Sequence, residues 1–274
     1  MNCRGKTLTL GDRTHVMGIL NVTPDSFSDG GCYLDVQRAI AHTQLMVEEG
    51  ATLVDIGGES SRPGASQVPV DEELARVLPV IRAIVGSVDV HISVDTYKAE
   101  VARQALEAGA HLVNDITALR GDVAMASVVA RMEAGLILMH MKGTPRTMQH
   151  APHYDDVVSE VRASLQESVR TAEEQGVSAE RIIIDPGIGF GKTAEHNLEL
   201  LKHLAAFQSL NKPLLIGTSR KSFIGNVLGL PINERVEGTA ATVCWAIAHG
   251  ADIVRVHDVK ANVRAALMTD ALYR

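Results

Sequence analysis

Residues 48–55 read EEGATLVD: a helix-forming end, a glycine at 50, a short run of β-formers, and a carboxylate at Asp55. The figure returns as EAGAHLVN at 107–114, EAGLILMH at 133–140 and AHGADIVR at 248–255. Glycine accepts the left-handed conformation that closes a helix. The apolar run after it is too short for a helix and long enough for a buried strand. Upstream of Gly50, Val36, Ile40 and Val47 fall near one helical face. Each unit therefore reads as helix, Gly closure, strand, polar tip, with Gly50, Gly109, Gly135 and Gly250 as the closures.

Other segments keep the strand and its polar tip without the glycine: HVMGILN at 15–21, HISVD at 91–95, RIIID at 181–185 and PLLIGTSRK at 213–221. Eight strands are thus predicted to end near Asn21, Asp55, Asp95, Asn114, His140, Asp185, Gly217 and Arg255. Strands alternating with helices predict parallel pairing. Eight such units in 274 residues predict an α/β chain folded as a (β/α)₈ TIM barrel, one domain over residues 1–274. An open doubly wound sheet is the second choice. The longest loops, near 22–35, 57–70 and 141–154, all follow strands, so they belong to the rim where such barrels carry active sites.

Apolar residues make up 46% of the chain and aromatic residues 3%, so the core must be aliphatic, as suits parallel strands covered by helices. The net charge of -7 supplies no global basic field and argues against nucleic acid as a partner. No apolar run reaches the roughly 20 residues of a membrane span. The N-terminal MNCRGKTLTLGDR lacks a signal-peptide core, and Cys3, Cys32 and Cys244 form no CxxC pair. Reduced thiols in a cytoplasmic protein are expected.

The cations come late in the chain. Arg220 and Lys221 follow the seventh strand; Arg255 and His257, two apart, point together at the end of the eighth. Loops after strands seven and eight form the usual phosphate site of this barrel, and pairing with surface acids is the plainer alternative. Asp95, Asn114 and Asp185 are strand tips; carboxylates accept and amides do both, so together they suit a flat heterocycle with adjacent N–H groups. Asn21 reads equally as a Mg²⁺-bridged phosphate ligand or as a hydrogen bond within loop one.

Several motifs fail. PGIGFGKT at 186–193 resembles a phosphate loop, but Pro186 stands where the first glycine is required. His150 and His153 have no matching pair for zinc, and no catalytic triad is marked. His15, His42 and His111 are expected to be structural or solvated. Trp245 and Met139 are expected in the core, Met139 near the ring.

The segments MGILNVTPDSFSDGG and DIGGESSRPGA, followed in order by SVDT, NDI, LMHM, DPGIGFGK, GTSRKSFIG and RVHDV, resemble the dihydropteroate synthase family from Thr14 to about Ala261. That resemblance implies condensation of 4-aminobenzoate with a dihydropterin methyl diphosphate, release of pyrophosphate, a sulfonamide target and a homodimer. It places the pterin between Asp95, Asn114 and Asp185, with Lys221 at its carbonyl edge, Arg255 stacked on the ring, and Ile116, Met139, Phe190 and Gly217 lining the pocket. Asn21, Ser61, Arg255 and His257 would hold the diphosphate, with Mg²⁺ at Asn21. Phe27, Asp29, Arg62 and Pro63 would close over the aminobenzoate beside Phe190, Lys221 and Ser222, with Gly30 and Gly31 letting loop one move. Many members carry Thr where this chain has Ser61. A pterin-dependent methyltransferase would share the acid and amide pocket but needs no diphosphate clamp; a catalytically silent paralogue would be expected to lose one of these residues.

Overall fold

The aliphatic runs pair in parallel, each strand with the next in sequence. The computed structural model describes residues 1–23 and 32–274, with only the backbone of 32–35. A short antiparallel hairpin, β1 (Asn2–Cys3) and β2 (Lys6–Thr7), precedes the barrel. Then come β3 (His15–Asn21), α1 (Cys32–Glu48), β4 (Leu53–Gly57), α2 (Val70–Val85), β5 (His91–Asp95), α3 (Ala99–Glu107) and β6 (Leu112–Asp115). They are followed by α4 (Met125–Arg131), β7 (Gly135–Met139), α5 (Val157–Glu174), β8 (Ile182–Asp185), α6 (Ala194–Lys202) and β9 (Leu215–Ile216). The chain ends with α7 (Ser222–Leu228), α8 (Val236–Ala248), β10 (Ile253–Val256) and α9 (Val259–Tyr273).

The sheet order is β8-β7-β6-β5-β4-β3-β10-β9, all parallel. The Ile184 amide donates to the Pro213 carbonyl at 3.0 Å, and Ile184 bridges Leu214, which joins the two ends into a barrel. The predicted (β/α)₈ architecture is thus the observed one.

Strand parity divides the core. Val16, Val54, Ile92, Val113, Leu138, Ile184 and Val254 pack outward among the helices. Met17, Leu53, Leu112, Ile137, Ile183, Leu215 and Ile253 point inward and form a dry plug with Cys3 and Leu8 from the N-terminal hairpin. Each fully buried aliphatic side chain contributes about 1.5–3 kcal/mol. The hairpin covers the plug at the base, and the polar strand tips stand at the opposite rim.

Three of the four predicted closures hold: Gly50, Gly109 and Gly250 have φ of +104°, +114° and +96°. Gly135 does not. The left-handed residue there is Glu133 (φ 51°), and Gly135 already opens β7. Its glycine is required by space: a Cβ would stand 2.9 Å from both Cys3 Sγ and Leu112 Cγ. Trp245 also departs from expectation. It is 45% exposed on α8 and stacks on His249, with ring centroids 4.1 Å apart. His15 is structural, its ring nitrogens 3.0 Å from Thr52 Oγ1 and 2.6 Å from the Thr9 carbonyl. Among the described residues, no helix is long and apolar enough to cross a membrane.

Candidate active site

Two residues beyond the plug, the same strands turn polar. Leu53 leads to Asp55, Leu112 to Asn114, Ile183 to Asp185 and Ile253 to Arg255, all inward by parity. Arg255 is the hub. Its Nε donates to Asp55 Oδ2 at 2.6 Å and its Nη2 to Asp95 Oδ2 at 2.8 Å. Asn114 Nδ2 donates to the same Asp55 oxygen at 2.9 Å. Asp185 Oδ1 accepts the Gly187 amide at 2.7 Å.

Burial sets the electrostatics of this rim. It raises the Asp95 pKa, against the pull of Arg255. It also raises Asp185, opposed by Lys221, the Gly187 amide and Lys192. Lys221 is pushed down to about 8 by burial, with Asp185 favouring its charge. Burial works against the Arg255 charge too, but Asp55 and Asp95 overrule it and its pKa rises. Burial thus opposes the charge on both acids, and a ligand that offers N–H donors to them would favour the ionised, accepting form.

The wall between the charges is apolar. Ile116, Met139, Met141 and Met148 form one cluster, with Tyr97 and Phe190 against it. Lys221 Nζ lies 4.6 Å from the Phe190 ring centroid and donates to the Ile188 carbonyl. Gly217 stands beside Arg255, where a Cβ would lie 3.8 Å from the Arg255 Cβ. Ser222 opens α7 next to Lys221 and is exposed.

On the anion side, Ser219 Oγ accepts the His257 backbone N–H at 3.0 Å and lies 2.9 Å from His257 Nδ1. With the hydroxyl donating to Nδ1, the ring proton sits on Nε2 and is offered as a donor. Burial and then the Arg255 charge hold His257 down to about 4, so near neutral pH it acts as an N–H donor, not as the cation expected from sequence. Arg220 is a second correction. Its Nε donates to Asp258 Oδ2 at 2.8 Å and Nη2 also pairs with Asp258. The plainer alternative, pairing with an acid, holds for Arg220, which leaves Lys221 and Arg255 facing the rim.

Ser61 shares a small cavity with Asp95 and Ile116; Arg62 and Pro63 are exposed farther along that loop. The Gly64 amide donates to the Pro145 carbonyl at 3.1 Å, so this loop touches the one after β7. Phe27, Asp29, Gly30 and Gly31 lie outside the described residues.

Asn21 ends β3, and among the described residues its carboxamide makes no side-chain hydrogen bond. Its Oδ1 and Asp95 Oδ2 flank the space above Gly57, 3.9 and 3.7 Å from where a Cβ would stand. Among the described residues no three His, Cys, Asp or Glu side chains form a metal cage. A lone hard oxygen at a rim built for anions does fit Mg²⁺, which keeps waters and takes phosphate oxygens.

Asp55 and Ser219 are parts of this arrangement to which the sequence reading gave no role. The signal for Asp55 was present: it has the parity of Asn114 and Asp185. Ser219 becomes legible only once His257 is placed 38 residues away.

The sequence pattern of the family described as pterin binding enzyme matches residues 17–257. A dihydropteroate synthase of Synechocystis sp. is 52% identical over 272 residues, covering 98% of this chain and 94% of that protein. A crystal structure of dihydropteroate synthase from Clostridium difficile in the presence of pteroic acid superposes with a TM-score of 0.93 at 48% identity, covering 98% of this chain and 100% of that one. The Xanthomonas albilineans enzyme with 4-aminobenzoic acid gives 0.92 at 49%, covering 98% and 96%. The chain therefore belongs to the dihydropteroate synthase family of pterin-binding enzymes, which are transferases.

Proposed function

We propose that this chain joins 4-aminobenzoate to (7,8-dihydropterin-6-yl)methyl diphosphate and releases pyrophosphate, a step of folate biosynthesis, with residues 1–274 serving as one cytoplasmic domain. The observation that carries the reading is the convergence of Asp95, Asn114, Asp185, Lys221 and Arg255 on one rim. Asp95 and Asp185 accept from the pterin N–H edge, Asn114 bonds beside them, and Lys221 meets the carbonyl edge. Ile116, Met139, Phe190 and Gly217 bound the ring.

The amine of 4-aminobenzoate is neutral near pH 7, so its lone pair needs no strong base. The hard step is departure of the diphosphate. The C–O bond breaks with both electrons leaving on pyrophosphate, and the methylene cation delocalises into the pterin. The buried carboxylates of Asp95 and Asp185 favour that cation. Arg255, Ser61 and the His257 Nε2–H bind the leaving group. The amine then forms the C–N bond and gives its proton to solvent. When bound at Asn21, Mg²⁺ would supply further neutralisation of the departing diphosphate. Phe27, Asp29, Arg62, Pro63 and Ser222, with Phe190 and Lys221, are assigned to aminobenzoate binding, where a sulfonamide drug would compete.

A homodimer is part of this reading. Leu267, Met268, Leu272 and Tyr273 on α9 and Trp245 on α8 are exposed apolar groups on packed neighbouring helices. Light scattering should give twice the chain mass; a monomer at all concentrations would remove that part.

Purified protein mixed with Mg²⁺, the pterin diphosphate and 4-aminobenzoate should release pyrophosphate, faster with the amine than without. No amine-dependent release would refute the activity. Crystals exposed to both substrates should trap a cationic or alkene-like pterin intermediate; its consistent absence speaks against dissociation preceding attack.

A further inference from the structure

The failed phosphate loop at 186–193 carries a lysine, Lys192, that no step above uses. Lys192 is only 2% exposed. Its Nζ lies 2.9 Å from the Gly187 carbonyl, 2.9 Å from the Phe190 carbonyl, 3.0 Å from His140 Nδ1 and 3.3 Å from the His140 carbonyl. Three of these four partners are carbonyl oxygens, which only accept. Burial holds the His140 imidazole down to about 2, with the Lys192 charge adding to it, so Nδ1 is free to accept as well. Residues 186–191 thus wrap around the Lys192 Nζ, which ties them to the exit of β7.

The fit is close. Gly187 has φ +67°, and a Cβ there would stand 1.9 Å from the His140 carbonyl oxygen, so the loop lies flush on the strand end. Farther along, Asn197 Oδ1 accepts the Gly189 amide at 2.6 Å and Tyr154 donates to the Gly191 carbonyl at 2.9 Å. What the loop presents to the rim is Phe190, under Lys221, and the Ile188 carbonyl that Lys221 holds. A methionine would fill the same volume without the cost of desolvating a charge. Burial drives the Lys192 pKa well below the usual lysine range, with Asp185 opposing it; burying the amine at that cost is explained by the N–H donors it supplies.

We propose that Lys192 is a positioning residue for the acceptor amine: it locks the 186–191 loop onto β7 and so fixes where Phe190 and Lys221 stand. This rests on the reading that those two residues flank 4-aminobenzoate. The lysine touches no substrate and acts through the loop.

The test is steady-state kinetics in both substrates, with calorimetric binding of the pterin diphosphate. Lys192→Met should raise the KM for 4-aminobenzoate by roughly tenfold or more, and any loss of pterin affinity should follow that of Phe190→Ala, since Phe190 and Lys221 also border the pterin. Lys192→Gln retains two N–H donors and should recover part of the loss. Phe190→Ala separates the two layers. If it leaves the aminobenzoate KM unchanged, the pocket assignment is wrong. If it raises that KM and Lys192→Met does not, the positioning role is wrong. A loss divided between the two substrates differently from that of Phe190→Ala would also overturn it, because a general weakening of the fold does not copy the effect of one side chain. Should Lys192→Met fail to fold, His140→Leu removes one acceptor and leaves the lysine. It should raise the same KM by a smaller factor, and an unchanged KM contradicts the proposal.

Discussion

Two residues of strand separate the driest part of this molecule from its most charged part. At Leu53, Leu112, Ile183 and Ile253 the barrel interior is an aliphatic plug. One inward step up, at Asp55, Asn114, Asp185 and Arg255, it is a network of buried acids, an amide and a guanidinium. The backbone is regular through both layers, so the difference is side-chain chemistry alone. The lower layer stabilises by removing apolar surface from water. The upper layer works against stability. Its charges are desolvated, and Asp55 Oδ1 is buried with no hydrogen-bond partner among the described residues. Damage to the two layers should therefore read out differently.

The largest effect is expected at Arg255. Arg255→Met leaves Asp55 and Asp95 buried without their cation, a loss of about 3–5 kcal/mol of stability. It should also abolish measurable turnover; denaturant unfolding and a pyrophosphate assay check both. Ile183→Ala, in the plug, should cost about 2–5 kcal/mol while the KM values of the folded protein stay unchanged. A shifted KM in that variant would join the layers that parity separates. Asp185→Asn should do the reverse. Pterin affinity by calorimetry falls by about 1–3 kcal/mol as a charged acceptor is lost, with little change in the unfolding midpoint.

The smallest effect concerns the base alone. Burial, then Lys6 and His91, hold His111 down to about 4, against 6.5 for an unperturbed histidine. The unfolded chain thus takes up a proton at His111 before the folded one does. Its contribution to stability is complete above pH 6.5 and is lost as pH falls toward 4. His111→Asn should make the drop of the urea midpoint over that window shallower, and an unchanged slope would remove His111 from the account.

The barrel was legible because its signals are local. A glycine that ends a helix, a short aliphatic run and a polar tip lie within eight residues, as at 48–55. The sequence misled where space, not conformation, demanded glycine: Gly135 makes room for the hairpin's Cys3, which nothing near position 135 announces. The site was legible as strand tips, but partners decided roles. Arg220 looks like an anion binder until Asp258, 38 residues on, is placed against it. Lys192 looks like a failed phosphate loop until His140, on the neighbouring strand, receives it. Asp55 shows the opposite failure, since its parity marked it in advance.

The most direct test is a crystal structure with the dihydropterin methyl diphosphate bound. The pterin bicycle should lie above Ile183 and Ile253, hydrogen-bonded to Asp95, Asn114 and Asp185, with its diphosphate tail on Arg255 and His257. A ligand seated anywhere else, or one that leaves the Asp95 and Asp185 carboxylates untouched, would contradict the account.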